Sequence, residues 1–303
     1  MRILVTGAGG FIGGHVVRQL DAAGHQVIAV DRSASPPARA GDPTPAPPRP
    51  SVSTHVVDLA DAAAVDALLK ATRPEALLHL AWYADPADYL TSHRNLAALS
   101  MTTALAQAAL AAGCRKLVVA GSCVEYAVRD RPLVESDDVD PRTLYAACKR
   151  AAWHVVRALA AEAGAELAWA RIFHLHGPGE DRRRLIPWVA GQLRAGANVE
   201  LTDGTQVRDH LHVADVASGL GALLAPGASG IYNVCSGEPV TLRRVLETVA
   251  EIVGADASQL LKFGARPHRA NETMFLAGDS TRLRTLGWAP RFTLRQGLED
   301  ALR

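Results

Sequence analysis

The first two dozen residues narrow the possible folds more than anything else in the chain. Arg2-Ile-Leu-Val-Thr6 is a short apolar run that reads as a buried strand. A glycine-rich turn, Gly7-Ala-Gly-Gly10-Phe-Ile-Gly13, leads from it straight into a helix over about 11–23. Each glycine sits where a side chain would interfere. Gly7 permits the tight turn, Gly10 lets backbone approach a pyrophosphate, and Gly13 lets the helix pack on the strand. The helix start adds N–H groups and the positive end of its dipole, which suits phosphate. The spacing is Gly-x-x-Gly-x-x-Gly with an extra Gly9.

The alternation continues. A second strand over 26–30 ends at Asp31, 18 residues past Gly13, where an acid can bind ribose hydroxyls and repel a 2′-phosphate. Arg32 follows at once and could instead hold that phosphate, so the choice between NAD and NADP stays open. Residues 33–50 carry seven prolines and no periodicity, which reads as a surface loop. After a short strand at 53–57, Asp58 is placed either to contact adenine or to cap the next helix. The chain has 303 residues, 49% of them hydrophobic, enough for one large α/β domain and a smaller lobe. A net charge of +1 without a basic stripe argues against nucleic acid as the main partner. Cys114, Cys123, Cys148 and Cys235 stand apart without a CxxC and read as reduced thiols of a cytoplasmic protein. No apolar stretch is long enough to span a membrane, and the N-terminal apolar run reads as a strand rather than a signal peptide.

Chemistry gathers in the middle of the chain. Tyr145-Ala-Ala-Cys-Lys149 places a phenol and an ammonium four residues apart in an alanine-rich helix over 143–163, on one face. An ammonium nearby would lower the pKa of the phenol and fit it for proton transfer. Ser122 lies at the end of the strand 116–121, where α/β sheets present ligands. Strand 76–80 runs into His79-Leu80-Ala81-Trp82, and its small residues let backbone pass beside a cofactor. His79 itself reads as a packed strand histidine. Asn95 opens the helix 92–112.

These residues, with Arg171…Gly177-Pro178, Leu185-Ile-Pro187, Gly204-Thr-Gln-Val-Arg208-Asp209, Val213-x-Asp215-Val216, Tyr232-Asn233, Arg266-Pro267 and Leu286-Gly-Trp288, resemble the extended short-chain dehydrogenase/reductase family in its nucleotide-sugar branch. The likeness runs along nearly the whole chain. It implies a doubly wound, mostly parallel Rossmann sheet over 1–174, with a smaller mixed α/β substrate lobe over 175–303 and return elements near 212–234. It implies Tyr145 as general acid/base, Lys149 as ribose ligand, Ser122 on the reacting oxygen, and Asn95 supporting the site through water and backbone. Gly7, Gly10, Phe11, Ile12, Gly13, Asp31, Arg32, Asp58, Leu59, Leu80, Ala81 and Trp82 would line the cofactor together with Tyr145 and Lys149. Ser122, Cys123, His174, Arg208 and Arg266 would meet the substrate, the two arginines through paired hydrogen bonds to phosphate. The helix pair 92–112 and 143–163 resembles the family's dimer-forming pair.

Departures from the family pattern narrow the branch. The 4,6-dehydratases carry an Asp-Glu pair just after the position of Ser122, where this chain has Cys123-Val124. An elimination needs an acid and a base together. His174 and His176 replace the usual asparagine and tyrosine before Gly177-Pro178, and nothing around them in the sequence suggests a metal. Trp82 replaces a small residue. The expectation is an NAD(P)-dependent 4-ketoreductase of a nucleoside-diphospho-4-keto-6-deoxyhexose. A 4-epimerase with bound NAD is the alternative, and a non-catalytic dinucleotide sensor is set aside because the tyrosine–lysine pair is intact.

Overall fold

Strands and helices alternate through the first half of the computed structural model, which describes residues 1–33, 51–270 and 272–303. The proline-rich segment read as a loop at 33–50 lies, from residue 34 on, outside the described residues. The order is β1 (Arg2–Thr6), α1 (Phe11–Ala22), β2 (Gln26–Asp31), β3 (Val52–Val56), α2 (Ala62–Thr72), β4 (Ala76–His79), α3 (Arg94–Ala111), β5 (Lys116–Ser122), α4 (Leu144–Glu162) and β6 (Glu166–Ile172). Shorter elements follow: β7 (His174–His176), α5 (Leu185–Arg194), β8 (Val199–Glu200), β9 (Val207–His212), α6 (Val213–Ala222) and β10 (Gly230–Val234). The chain closes with β11 (Pro239–Thr241), α7 (Leu242–Val253), α8 (Ala257–Leu260), β12 (Leu261–Lys262), β13 (Phe275–Leu276), α9 (Thr281–Arg284) and α10 (Leu294–Ala301).

Seven strands pair in the order β10-β6-β5-β4-β1-β2-β3, every neighbour parallel. This is the expected doubly wound sheet. The connection reverses direction between β1 and β4, and the carboxyl ends of the strands at such a switch point are where these sheets bind ligands. Both faces of the sheet are covered, which explains why β4 and β5 are buried at every position. One layer joins α1 and α6 through Val16, Leu20, Val216 and Leu220. The other joins α2, α3 and α4 through Val65, Leu68, Leu105, Ala109, Ala152 and Val156. Each fully buried aliphatic side chain here is worth roughly 1.5–3 kcal/mol.

The remaining elements build a smaller mixed part. Its mixed sheet is β11-β9-β13, with β7 also pairing β9. Its own core joins α5, α7 and α10 through Val189, Leu193, Val245, Leu246 and Leu298. Buried Asp215, in the first turn of α6, ties down the C-terminal tail: its carboxylate accepts the backbone N–H groups of Arg291 and Phe292, both at 3.0 Å. The Trp288 indole N–H donates to the Ser218 hydroxyl at 2.8 Å. Among the described residues, no helix is long and apolar enough to cross a membrane.

Candidate active site

The glycine turn is shaped by contacts that a side chain would break. Gly7 has φ +68°, and a Cβ there would come within 2.9 Å of the Ala81 nitrogen, so β1 and β4 approach at this point. A Cβ on Gly13 would lie 2.0 Å from the Gly7 carbonyl oxygen. No side chain caps α1 at Gly10, and its first turn holds no acid, which leaves that helix end suited to an anion. Asp31, at the end of β2, accepts the Gly9 N–H at 2.8 Å and the Arg32 N–H at 2.7 Å. The acid therefore stands against the glycine turn. The Asp58 carboxylate takes the Ala60 N–H, while Asp61 caps α2 through Ala63 and Ala64. The expectation that Asp58 might cap that helix is corrected: the cap belongs to the residue one position before the helix begins. Leu59 is buried, whereas Phe11, Ile12, Leu80, Ala81 and Trp82 are half-buried.

Tyr145 and Lys149 sit in the first turns of α4, which Thr143 caps by accepting the Ala146 N–H at 3.1 Å. The Ser122 hydroxyl lies close enough to the Tyr145 phenol to act on its ionisation, so β5 and α4 bring the two together. Burial holds the phenol well above its ordinary pKa, against the opposing effect of the Ser122 hydroxyl. This reverses the expectation of an ammonium-lowered phenol. The Lys149 Nζ lies 5.8 Å from the centre of the Tyr145 ring and is engaged elsewhere. It donates to the Ala120 carbonyl at 2.7 Å and stands 3.7 Å over the Trp82 ring. Burial pulls Lys149 down to about 7, partly offset by Glu125. Desolvation thus outweighs the pairing that the spacing suggests.

Asn95 is fully buried, and its amide donates to the carbonyls of Tyr89 at 2.7 Å and Ser92 at 2.8 Å. Its oxygen accepts the Trp82 indole N–H at 2.8 Å. The Trp82 and Tyr89 rings meet the Tyr145 ring edge-on, with centroids at 6.2 and 5.2 Å. His79 is buried, with its two ring nitrogens against Thr6 and Thr102, and burial lowers it to about 3. It holds strand to helix.

The sequence reading passed over Glu125. This fully buried carboxylate accepts the Ser122 N–H at 2.8 Å, the Trp169 indole N–H at 3.0 Å and the Arg171 Nε at 3.1 Å. It thus fixes the serine from behind. The signal was present: Ser122-Cys-Val-Glu125 has the capping-box spacing, and the structure forms that box. Cys123 beside it is buried, its thiol pushed up to about 12.

Further along the chain, β7 and β9 pair in register, His174 with His210 and His176 with His212. The ring centroids of His174 and His210 are 5.7 Å apart. Burial lowers His174 to about 4 and His210 to about 3, so both are neutral imidazoles. Arg208 lies near His174, and its guanidinium is 3.9 Å from Glu272. Arg266 is mostly exposed, pairing with Glu200 at 3.4 Å. Arg184 stacks 5.1 Å over Tyr89. Among the described residues, no group of three or more His, Cys, Asp or Glu side chains is arranged to hold a metal ion.

Fold and glycine turn together define a doubly wound, dinucleotide-binding class of α/β protein. The chain belongs to the NAD dependent epimerase/dehydratase family, whose pattern it matches over residues 3–235, and is an enzyme of that family. It is 27% identical to UDP-glucose 4-epimerase of Bacillus subtilis, covering 100% of this chain and 96% of the relative. With CDP-abequose synthase of Salmonella typhimurium it shares 30% identity over 139 residues, 44% of this chain and 46% of the relative. The crystal structure of Thermus thermophilus UDP-glucose 4-epimerase in complex with NAD superposes with a TM-score of 0.84 at 27% identity, covering 100% of this chain and 98% of that one.

Proposed function

We propose that this enzyme reduces the 4-keto group of a nucleoside-diphospho-4-keto-6-deoxyhexose. The approach of the Ser122 hydroxyl, at the end of β5, to the Tyr145 phenol, in the first turn of α4, carries the reading. Two O–H groups converge where a developing alkoxide can be met. The carboxylate nearest to them, Glu125, is held by Trp169 and Arg171 and is not free to act as an acid or base. Positions 123 and 124 offer no carboxylate either, so elimination of water lacks its acid–base pair.

The glycine turn from Gly7 to Gly13, Asp31, Asp58, Leu59 and the Leu80–Trp82 segment would hold the dinucleotide. When bound, the nicotinamide supplies or accepts a hydride. Tyr145 donates the proton to the substrate oxygen, Ser122 donates a hydrogen bond to it, and Lys149 fixes a ribose hydroxyl. Asn95 secures the walls around Tyr145. His174, Cys123 and Arg208 face the sugar diphosphate, and Arg266 joins them from the lobe over 175–303. A phenol held up by burial suits the acid role, since it arrives carrying its proton. Asp31 favours NAD(H) over the 2′-phosphorylated form. The test supplies NADH or NADPH with a panel of keto-sugar nucleotides and follows nicotinamide oxidation. Absence of turnover with every member rejects the reading.

A second reading, 4-epimerisation, draws on the likeness to UDP-glucose 4-epimerases. Cofactor held through purification, with turnover needing none added, favours it. Stoichiometric consumption of NAD(P)H favours the reductase. We also propose a homodimer through α3 and α4, whose outer faces expose Leu96 (52%) and Val155 (43%). Light scattering on the purified chain tests this, and a monomer at micromolar concentration rejects it.

A further inference from the structure

Lys149 is an ammonium with few partners. Its Nζ is buried, and among the described residues no carboxylate pairs with it within 4 Å. The charged and titratable groups around it are Glu125 behind Ser122, His79 on β4, and Tyr145 on its own helix. One carbonyl, that of Ala120, takes one of its protons. The Trp82 ring covers another side at 3.7 Å, well within the range of a cation–π contact. The indole is not free to leave, because its N–H is bonded to Asn95, whose amide is bonded to two backbone carbonyls.

We propose that Trp82 is a positioning residue of the reaction: its ring face holds the Lys149 ammonium in the charged form and aims it, while Asn95 locks the ring in place. The assignment of Lys149 and Tyr145 to chemistry rests on the proposed function, but the contact itself does not. A tryptophan in the position of a small residue thus does for this buried lysine what a carboxylate does for others. The ring's negative face favours the cation, which opposes the desolvation that drives Lys149 towards its neutral form.

Two substitutions separate the ring face from the rest of the side chain. Trp82→Leu keeps the site apolar but removes the π face. Trp82→Phe keeps a face and removes the N–H to Asn95. The readout is the titration of Lys149 by NMR in protein carrying isotope-labelled lysine, with and without NAD. Only four lysines are present, and Lys149→Met assigns the signal. Trp82→Leu is expected to lower the midpoint by about one pH unit, a tenfold loss of proton affinity, and Trp82→Phe by a few tenths. The basic limb of the kcat/KM profile should move down with it. A Lys149 midpoint in Trp82→Leu that is unchanged or raised overturns the proposal. So does a full-unit fall in Trp82→Phe, which decides the matter alone if the leucine variant does not fold. Because the titration needs no substrate, a failed keto-sugar panel leaves this result standing.

Discussion

Replacing Glu125 with glutamine tests how the site is held from behind. The carboxylate and the Arg171 guanidinium are both buried, at 0% and 1% exposure, and lie 3.1 Å apart. Three donors converge on this carboxylate: the Ser122 N–H, the Trp169 indole N–H and Arg171 Nε. A neutral amide keeps the shape but leaves a buried guanidinium without a counter-charge. Breaking such a pair from one side costs about 3–5 kcal/mol. With a urea slope near 3 kcal/mol/M for a chain of this size, the unfolding midpoint should fall by roughly 1–1.7 M. Tryptophan fluorescence reports the transition, since Trp169 touches the carboxylate and packs 5.8 Å from Trp153. Arg171→Met alone should also destabilise, leaving a buried anion. The double variant Glu125→Leu/Arg171→Met should cost less than the sum of the single losses, because no unpaired charge remains. A Glu125→Gln midpoint within about 0.3 M of the parent, equivalent to about 1 kcal/mol at that slope, would refute the reasoning. Strict additivity in the cycle would do the same.

Three further outcomes follow from the geometry. Tyr145→Phe should lower kcat by roughly 10²–10⁴ while leaving the NAD dissociation constant within about threefold, as read by steady-state kinetics and calorimetry. Gly13→Ala puts a methyl 2.0 Å from the Gly7 carbonyl oxygen, so it should abolish measurable NAD binding and lower Tm, seen by calorimetry and circular dichroism. Acid should destabilise the fold through His79, which is neutral when folded down to about 3 but takes a proton near 6.5 when unfolded. Its contribution is complete above pH 6.5 and is lost as pH falls, by about 1.4 kcal/mol per unit, or about 2 kcal/mol at pH 5. Urea titrations of His79→Leu should show a correspondingly shallower loss between pH 6.5 and 5.

What was legible in the sequence was what local chemistry dictates. The turn from Gly7 to Gly13 could be read because the glycines, the strand and the helix are contiguous. The strand ending at Ser122 and the helix carrying Tyr145 could be read for the same reason. The environment of Lys149 could not. Its spacing from Tyr145 suggested a pair, but Trp82 and the Ala120 carbonyl, brought in by β4 and β5, decide where the ammonium goes. The matched histidines of β7 and β9 were also hidden, because their pairing joins segments some thirty residues apart across α5 and β8. Glu125 left a readable trace in its spacing from Ser122, but its burial against Arg171 depends on β6 lying beside β5.

The grip of Asp215 on residues 291 and 292 reaches further than the tail it secures. Helix α6, which carries that acid, lies against α1, and the two share Leu20 and Leu220 in one apolar layer. The amino end of α1 is the end of the glycine turn proposed to meet phosphate. Cutting the chain before Trp288 would strip the outer support from α6, and through it loosen α1 and the glycine turn proposed to seat a nucleotide.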